Sequence, residues 1–253
     1  MNWWATISNF WDKKVQTSKL GTLIAAGVIA LVSLVIAAQS SLIRLGNIDS
    51  GLIGELFLGI CIFIGGVLLF GFTRMRLTLT RLSLQRMRII SIFLLATVFL
   101  NVFGAPIALI ELARLDFIRV FVTGFWEEMV FRGFLFAVWG KLFGLRSSIS
   151  VLLLLLMSSF LFGISHPNQG VELFIRSSLG FLLGIVTLHT KTILFAILLH
   201  ALHNGLTMMI VYRSSASPSL QVIALFILCM VGLSIILKHP NRDHQPYILT
   251  HET

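Results

Sequence analysis

The chain has 253 residues, of which 57% are apolar and 11% charged. A soluble domain carries about 25% charge, so the composition excludes an ordinary soluble globule and points to a polytopic membrane protein. Basic residues outnumber acidic ones, 19 against 10. In a soluble protein that would suggest nucleic acid. Here the basic residues fall between apolar runs, where they set topology, and no nucleic-acid partner is expected.

In chain order, residues 1–19 are aromatic and basic. Trp3, Ile7 and Trp11 share one helical face, and Lys13, Lys14 and Lys19 follow. This suits an interfacial amphipathic segment, or equally a flank of the first span. The apolar run that follows is too long for the core of a cleavable signal. Membrane spans need about 20 apolar residues, and they are placed near 20–42, 52–72, 89–111, 117–140, 148–166, 172–190, 192–212 and 219–237. The expected fold class is therefore all-α, a transmembrane helix bundle of about eight spans with a membrane-embedded polar cavity. The bundle covers residues 20–237, with a polar tail at 238–253. Cys61 and Cys229 each sit inside an apolar run and read as small core residues.

With the N-terminus cytoplasmic, most basic residues fall on inner segments, among them Lys13, Lys14, Arg74, Arg76, Arg81, Lys141, Lys191 and Lys238. The outer segments then hold only Arg44, Arg114, Arg119, Arg176 and Arg213. That balance favours both termini inside. The Arg74–Arg88 stretch also suits a basic collar on anionic lipid.

The fourth span carries Glu127, Glu128 and Arg132 in otherwise apolar surroundings. A charge at membrane depth costs at least ~2.5–3.5 kcal/mol, so three together call for partners or a purpose. Glu128 and Arg132 are four apart and suit a neutralising pair. Glu127 points about 100° away from Glu128 and is left over. His166 ends the fifth span, just before Pro167, which stops the helix nearby. His200 and Asn204 share a face of the seventh span, with His203 beside it. Any one of these alone reads as a buried polar residue bonded to a neighbouring helix. Together they are the parts of a base, a polariser and an oxyanion site.

Glu127-Glu128-x-x-x-Arg132, Phe162-x-x-x-His166 and His200-x-x-x-Asn204, in this order on apolar spans, resemble the CAAX prenyl protease and bacteriocin-processing (CPBP, or Abi) family. These are intramembrane endopeptidases related to the type II CAAX protease. The resemblance covers about 117–212, taken as the catalytic core. It implies that Glu127 and His166 activate a water and that His200 and Asn204 bind the oxyanion. Glu128, Arg132 and the motif's Phe162 would be structural support. His203 has no place in the pattern and is assigned to packing behind the site. Glu127 is expected to be the titrating group of a rate that rises with pH around neutrality.

Family members are often labelled metalloproteases, and Glu127, His166 and His200 offer an N/O set for Zn. The chain has no His-Glu-x-x-His helix signature, and a metal leaves Asn204 idle, so no cofactor is the preferred expectation and Zn the alternative. No Gly-x-Ser-Gly or Gly-x-Gly-Asp motif of other intramembrane proteases occurs. Two rival classes remain. One is a proton-coupled transporter relaying through Glu127 and His200. The other is a non-proteolytic scaffold or immunity protein of the same fold. The expected partners are the lipid bilayer and a membrane-embedded or lipidated peptide or protein. A bacterial inner membrane is the expected location.

Overall fold

The computed structural model describes residues 48–77, 114–145, 147–166 and 170–209, with a few helical positions near 21–27, 87–94 and 227–234. The expected N-terminal amphipathic segment, the C-terminal tail, the 20–42 span and most of the 89–111 and 219–237 spans lie outside the described residues. So does most of the Arg74–Arg88 stretch. Every described element is helical. The helices are α1 (Ile48–Arg74), α2 (Arg114–Glu128), α3 (Leu135–Leu142), α4 (Ser148–Ile164), α5 (Val171–Thr190) and α6 (Leu194–Met209). A π-helical turn, Met129–Phe134, joins α2 to α3 without a break.

Gly54–Gly71 in α1 and Val171–Thr190 in α5 are long and apolar enough to cross a membrane. Ser148–Ile164 and Leu194–Thr207 are shorter apolar helices. The helical run from α2 through α3 contains the expected 117–140 span, and its buried charges distinguish it from the others. Apolar stripes at helical spacing face outward, for example Ile60, Ile64 and Leu68 on α1 and Leu153, Leu156 and Phe160 on α4. Such stripes suit lipid, which leaves no penalty for exposed Leu or Phe.

Glycines fix how the helices approach. A side chain at Gly163 would meet Leu173 and Ser177, and one at Gly184 would meet Leu155, so α4 and α5 pair antiparallel. Gly124 lies against the Ile197–Ala201 backbone and Gly205 against Val120, so α2 and α6 are also antiparallel. Glu55 reaches Thr123 while Gly59 abuts Trp126, which makes α1 and α2 parallel neighbours. One apolar core (Phe136, Leu154, Leu155, Ile185, Ala196) lies among α3, α4, α5 and α6. A second (Leu58, Ile62, Phe70, Met129, Ile193) joins α1 to the π turn and α6.

The turns follow from local chemistry. Ser147 caps α4 by accepting the Ser150 N–H at 3.0 Å. Ser150 Oγ in turn donates to the Gly144 carbonyl at 2.6 Å and accepts from Trp139 Nε1 at 2.9 Å. Between α5 and α6, Lys191 is left-handed (φ 60°), and the single Thr190 Oγ1 proton is shared between the Val186 and Thr192 carbonyls, at 2.8 and 2.9 Å. Past α1, Arg76 docks on this same corner. Its carbonyl accepts the Ile193 N–H at 2.9 Å and its guanidinium reaches the Thr187 carbonyl at 3.4 Å, a cation at a helix C-terminus. The end of α1 and the α5–α6 turn therefore lie at one end of the bundle.

Candidate active site

The polar centre is built where α2 passes into the π turn, between α4, α5 and α6. A π turn carries one extra residue per turn and commonly marks a functional position. Here it runs directly on from Glu127 and Glu128, and the Ser158 hydroxyl donates to the Phe131 carbonyl within it at 3.3 Å.

Arg132 is fully buried, and its contacts offset what burial costs. Nη1 donates to Glu128 Oε1 at 2.8 Å, and Nη2 donates to the Gly180 carbonyl on α5 at 2.7 Å. The guanidinium lies 4.7 Å from the centre of the Phe162 ring, a distance that adds cation–π attraction. Gly180 allows this approach, because a Cβ there would sit 3.2 Å from Arg132 Nη2 and 3.1 Å from the Phe162 ring.

His200 enters from α6 and is 1% exposed. Its Nδ1 is 2.8 Å from Glu128 Oε1, so Nδ1 carries a proton and donates to the carboxylate. The same oxygen thus accepts from both Arg132 and His200. His200 Nε2 is left facing Glu127 Oε2 at 3.5 Å. The Phe162 ring packs edge-on against His200, with centroids 5.5 Å apart.

His166 stands just past the end of α4, where Ser165 and His166 still donate their N–H groups back to Leu161 and Gly163. Its Nδ1 lies 2.8 Å from the Phe162 carbonyl and donates to it. Its Nε2 lies 3.9 Å from Glu127 Oε2. Both imidazoles therefore have Nδ1 fixed by an acceptor and Nε2 directed at one carboxylate oxygen. That oxygen is buried and has no hydrogen-bond partner among the described residues. Separations of 3.5 and 3.9 Å exceed a direct hydrogen bond and suit a bridging water.

Asn204 is half-buried one turn beyond His200 on α6, with His203 beside it. No hydrogen bond joins Asn204 to Glu127, His166 or His200 among the described residues. Glu127, Glu128, Arg132, Phe162, His166 and His200 are thus brought together, and Asn204 follows His200 by one turn on α6. Among the described residues, no group of three or more His, Cys, Asp or Glu side chains is placed to hold a metal ion. Two contributors have no signature in the sequence. The Gly180 carbonyl serves Arg132 as a backbone group, and Ser158 serves the π turn from a different helix. Only the packing of α4 and α5 on the π turn reveals them.

The model of one protein family, described as Rce1-like, type II CAAX prenyl endopeptidase Rce1-like, matches residues 110–206. That stretch contains α2 to α5, most of α6 and every side chain of the cluster. No curated protein and no solved structure matches the chain. Over residues 110–206 the chain is therefore similar to the Rce1-like, type II CAAX prenyl endopeptidase family.

Proposed function

We propose that the chain is an intramembrane endopeptidase that hydrolyses a peptide bond in a membrane-associated or lipidated substrate without a metal. The observation that carries this reading is the convergence of two Nδ1-anchored imidazoles on the unpaired Oε2 of Glu127, at 3.5 and 3.9 Å. A water held between Glu127 and His166 gives a proton to Glu127 as its oxygen attacks the carbonyl carbon. The oxyanion takes hydrogen bonds from the Asn204 amide and from His200 Nε2. For His200 to donate there while Nδ1 stays on Glu128, the ring is an imidazolium, and Glu128 supplies its counter-charge. Collapse of the intermediate breaks the C–N bond, and the leaving nitrogen takes the proton from Glu127. Arg132 holds Glu128, and Phe162 packs against Arg132, His166 and His200.

The same reading puts the chain in a bacterial inner membrane, and the distribution of basic residues favours both termini cytoplasmic. The test compares the membrane peptidome of cells carrying the intact chain with that of cells carrying Glu127→Ala. Loss of the general base lowers turnover about 10²–10⁴-fold, so specific cleavage products should disappear while the variant still assembles. They should persist in the presence of o-phenanthroline. Products that survive Glu127→Ala would leave a scaffold or transporter as the better account.

A further inference from the structure

Burial traces a way out of the cluster. Side-chain exposure rises from 9% at Glu127 to 17% at His166, then to 24% at Arg176 and 35% at Glu172. The polar residues therefore open to the surface between the end of α4 and the first turns of α5. Packing puts Arg176 at that opening. A Cβ on Gly180 would lie 3.1 Å from the Phe162 ring, and one on Gly163 would lie 2.9 Å from Leu173. Arg176 is one turn before Gly180 and three residues after Leu173, so it shares their face of α5. His166 is one turn past Phe162 on the other side of the same contact. Arg176 and His166 thus stand side by side, one turn outward from Gly180 and Phe162. A helical side chain leans toward the N-terminus of its helix, which carries the Arg176 guanidinium further out along the opening.

We propose that Arg176 is a substrate-binding residue that holds a carboxylate of the peptide being cut, close to the scissile bond. The proposal rests on the reading of the Glu127 cluster as a peptidase site. Arg176 Nε donates to Glu172 Oε1 at 3.0 Å. A guanidinium has five N–H donors, and the others find no acceptor among the described residues. Buried Arg132, by contrast, is held by Glu128 and the Gly180 carbonyl. Glu172 takes the Nε side of Arg176 and leaves the Nη1–Nη2 edge, the edge whose two parallel N–H groups match a carboxylate. A half-exposed i, i+4 ion pair is weak, so Glu172 orients the fork without consuming it. A chain-terminal carboxylate and an Asp or Glu side chain present the same pair of oxygens, and either fits. The site then selects peptides with an acid within about four residues of the junction, roughly 14 Å of extended chain.

The experiment uses the full chain in detergent and a fluorogenic peptide spanning a junction whose cleavage disappears with Glu127→Ala. Each carboxyl group near the junction is neutralised in turn, a chain terminus as its amide and Asp or Glu as Asn or Gln, which separates the two sources. With the intact chain, one of these changes should raise KM about tenfold or more, with kcat within about twofold, as expected for a contact made equally in the ground and transition states. Arg176→Gln should raise KM for the unaltered peptide by a similar factor. In that variant the same neutralisation should then change KM less than about twofold, because the two changes remove one contact. A junction with no acid in reach, or no KM change on neutralising any of them, overturns the proposal. So does an Arg176→Gln loss that is equal for the charged and the neutralised peptide. If Arg176→Gln does not assemble, Arg176→Lys takes its place. It keeps the charge and loses the fork, so it should reduce the advantage of the charged peptide, and an undiminished advantage overturns the proposal. No junction lost with Glu127→Ala would exist if the peptidase reading failed, so the two failures are distinct.

Discussion

Two regions of the bundle bury polar groups, and they satisfy them in opposite ways. At the corner between α5 and α6, Thr187, Thr190 and Thr192 are all buried. Their hydroxyls are served largely by their own turn, Thr187 by the Leu183 carbonyl and Thr190 by Val186 and Thr192. At the π turn the partners come from 48 and 72 residues away. Even so, Glu127 Oε2, Glu128 Oε2 and Arg132 Nε stay unpaired among the described residues. A group satisfied by its own helix serves folding only. Groups that need three helices to meet, and still leave an oxygen open, store the cost of desolvation at a place where a reactant can recover it.

On that contrast, the largest effect on stability comes from cutting the long-range set. Arg132→Met leaves the Glu128 carboxylate and the Gly180 carbonyl short of a buried donor. Breaking one side of a buried pair costs about 3–5 kcal/mol, so thermal unfolding in detergent should show a large loss. Replacing Glu128 and Arg132 together by apolar residues should cost less than the two single changes combined. It should still abolish activity, because His200 loses the acceptor that orients Nδ1. Full additivity of the two single changes would show that the pair is not acting as a unit.

A smaller and different loss is expected at Asn204, one turn beyond His200 on α6 and without a hydrogen bond to the cluster among the described residues. On the proposed mechanism, Asn204→Ala removes a donor that matters only once an oxyanion has formed. Removing one such donor costs about 10²–10³ in kcat, while KM and thermal stability should change little. A loss of stability with kcat preserved would reassign Asn204 to the scaffold and erase the difference between an open and a closed polar group.

Much of this contrast follows from spacing, and some does not. Helical period places Glu128 over Arg132, and the two are 2.8 Å apart. It also turns Glu127 off that face, and Glu127 Oε2 is the carboxylate oxygen the two imidazoles approach. Apolar runs of helical length locate α1, α4, α5 and α6 to within a few residues. Spacing cannot show that His200 divides its two nitrogens between Glu128 and Glu127, since that depends on how α6 crosses α2. Nor can it find the hydrogen bond of Thr123 to Glu55, because no periodic rule links residue 55 to residue 123. The π turn is equally silent: apart from Arg132, Met129–Phe134 reads like any apolar helix, and its extra residue appears only in how α4 and α5 pack around it.

The smallest effect is expected at the self-satisfied corner. Thr190→Val keeps the shape of the side chain and removes its hydroxyl. The Val186 and Thr192 carbonyls, at 2.8 and 2.9 Å, then lose the one proton they share. The Val186 carbonyl lies in the last turn of α5, where backbone bonding is already incomplete. The net loss should be near 1 kcal/mol, the usual worth of a neutral hydrogen bond. Because Gly180, which bonds α5 to Arg132, lies more than two turns from Thr190, kcat and its pH profile should not move. A change in the pH profile of Thr190→Val would mean that the corner and the cluster share one cooperative network, and the division between folding groups and reacting groups would have to be redrawn along α5.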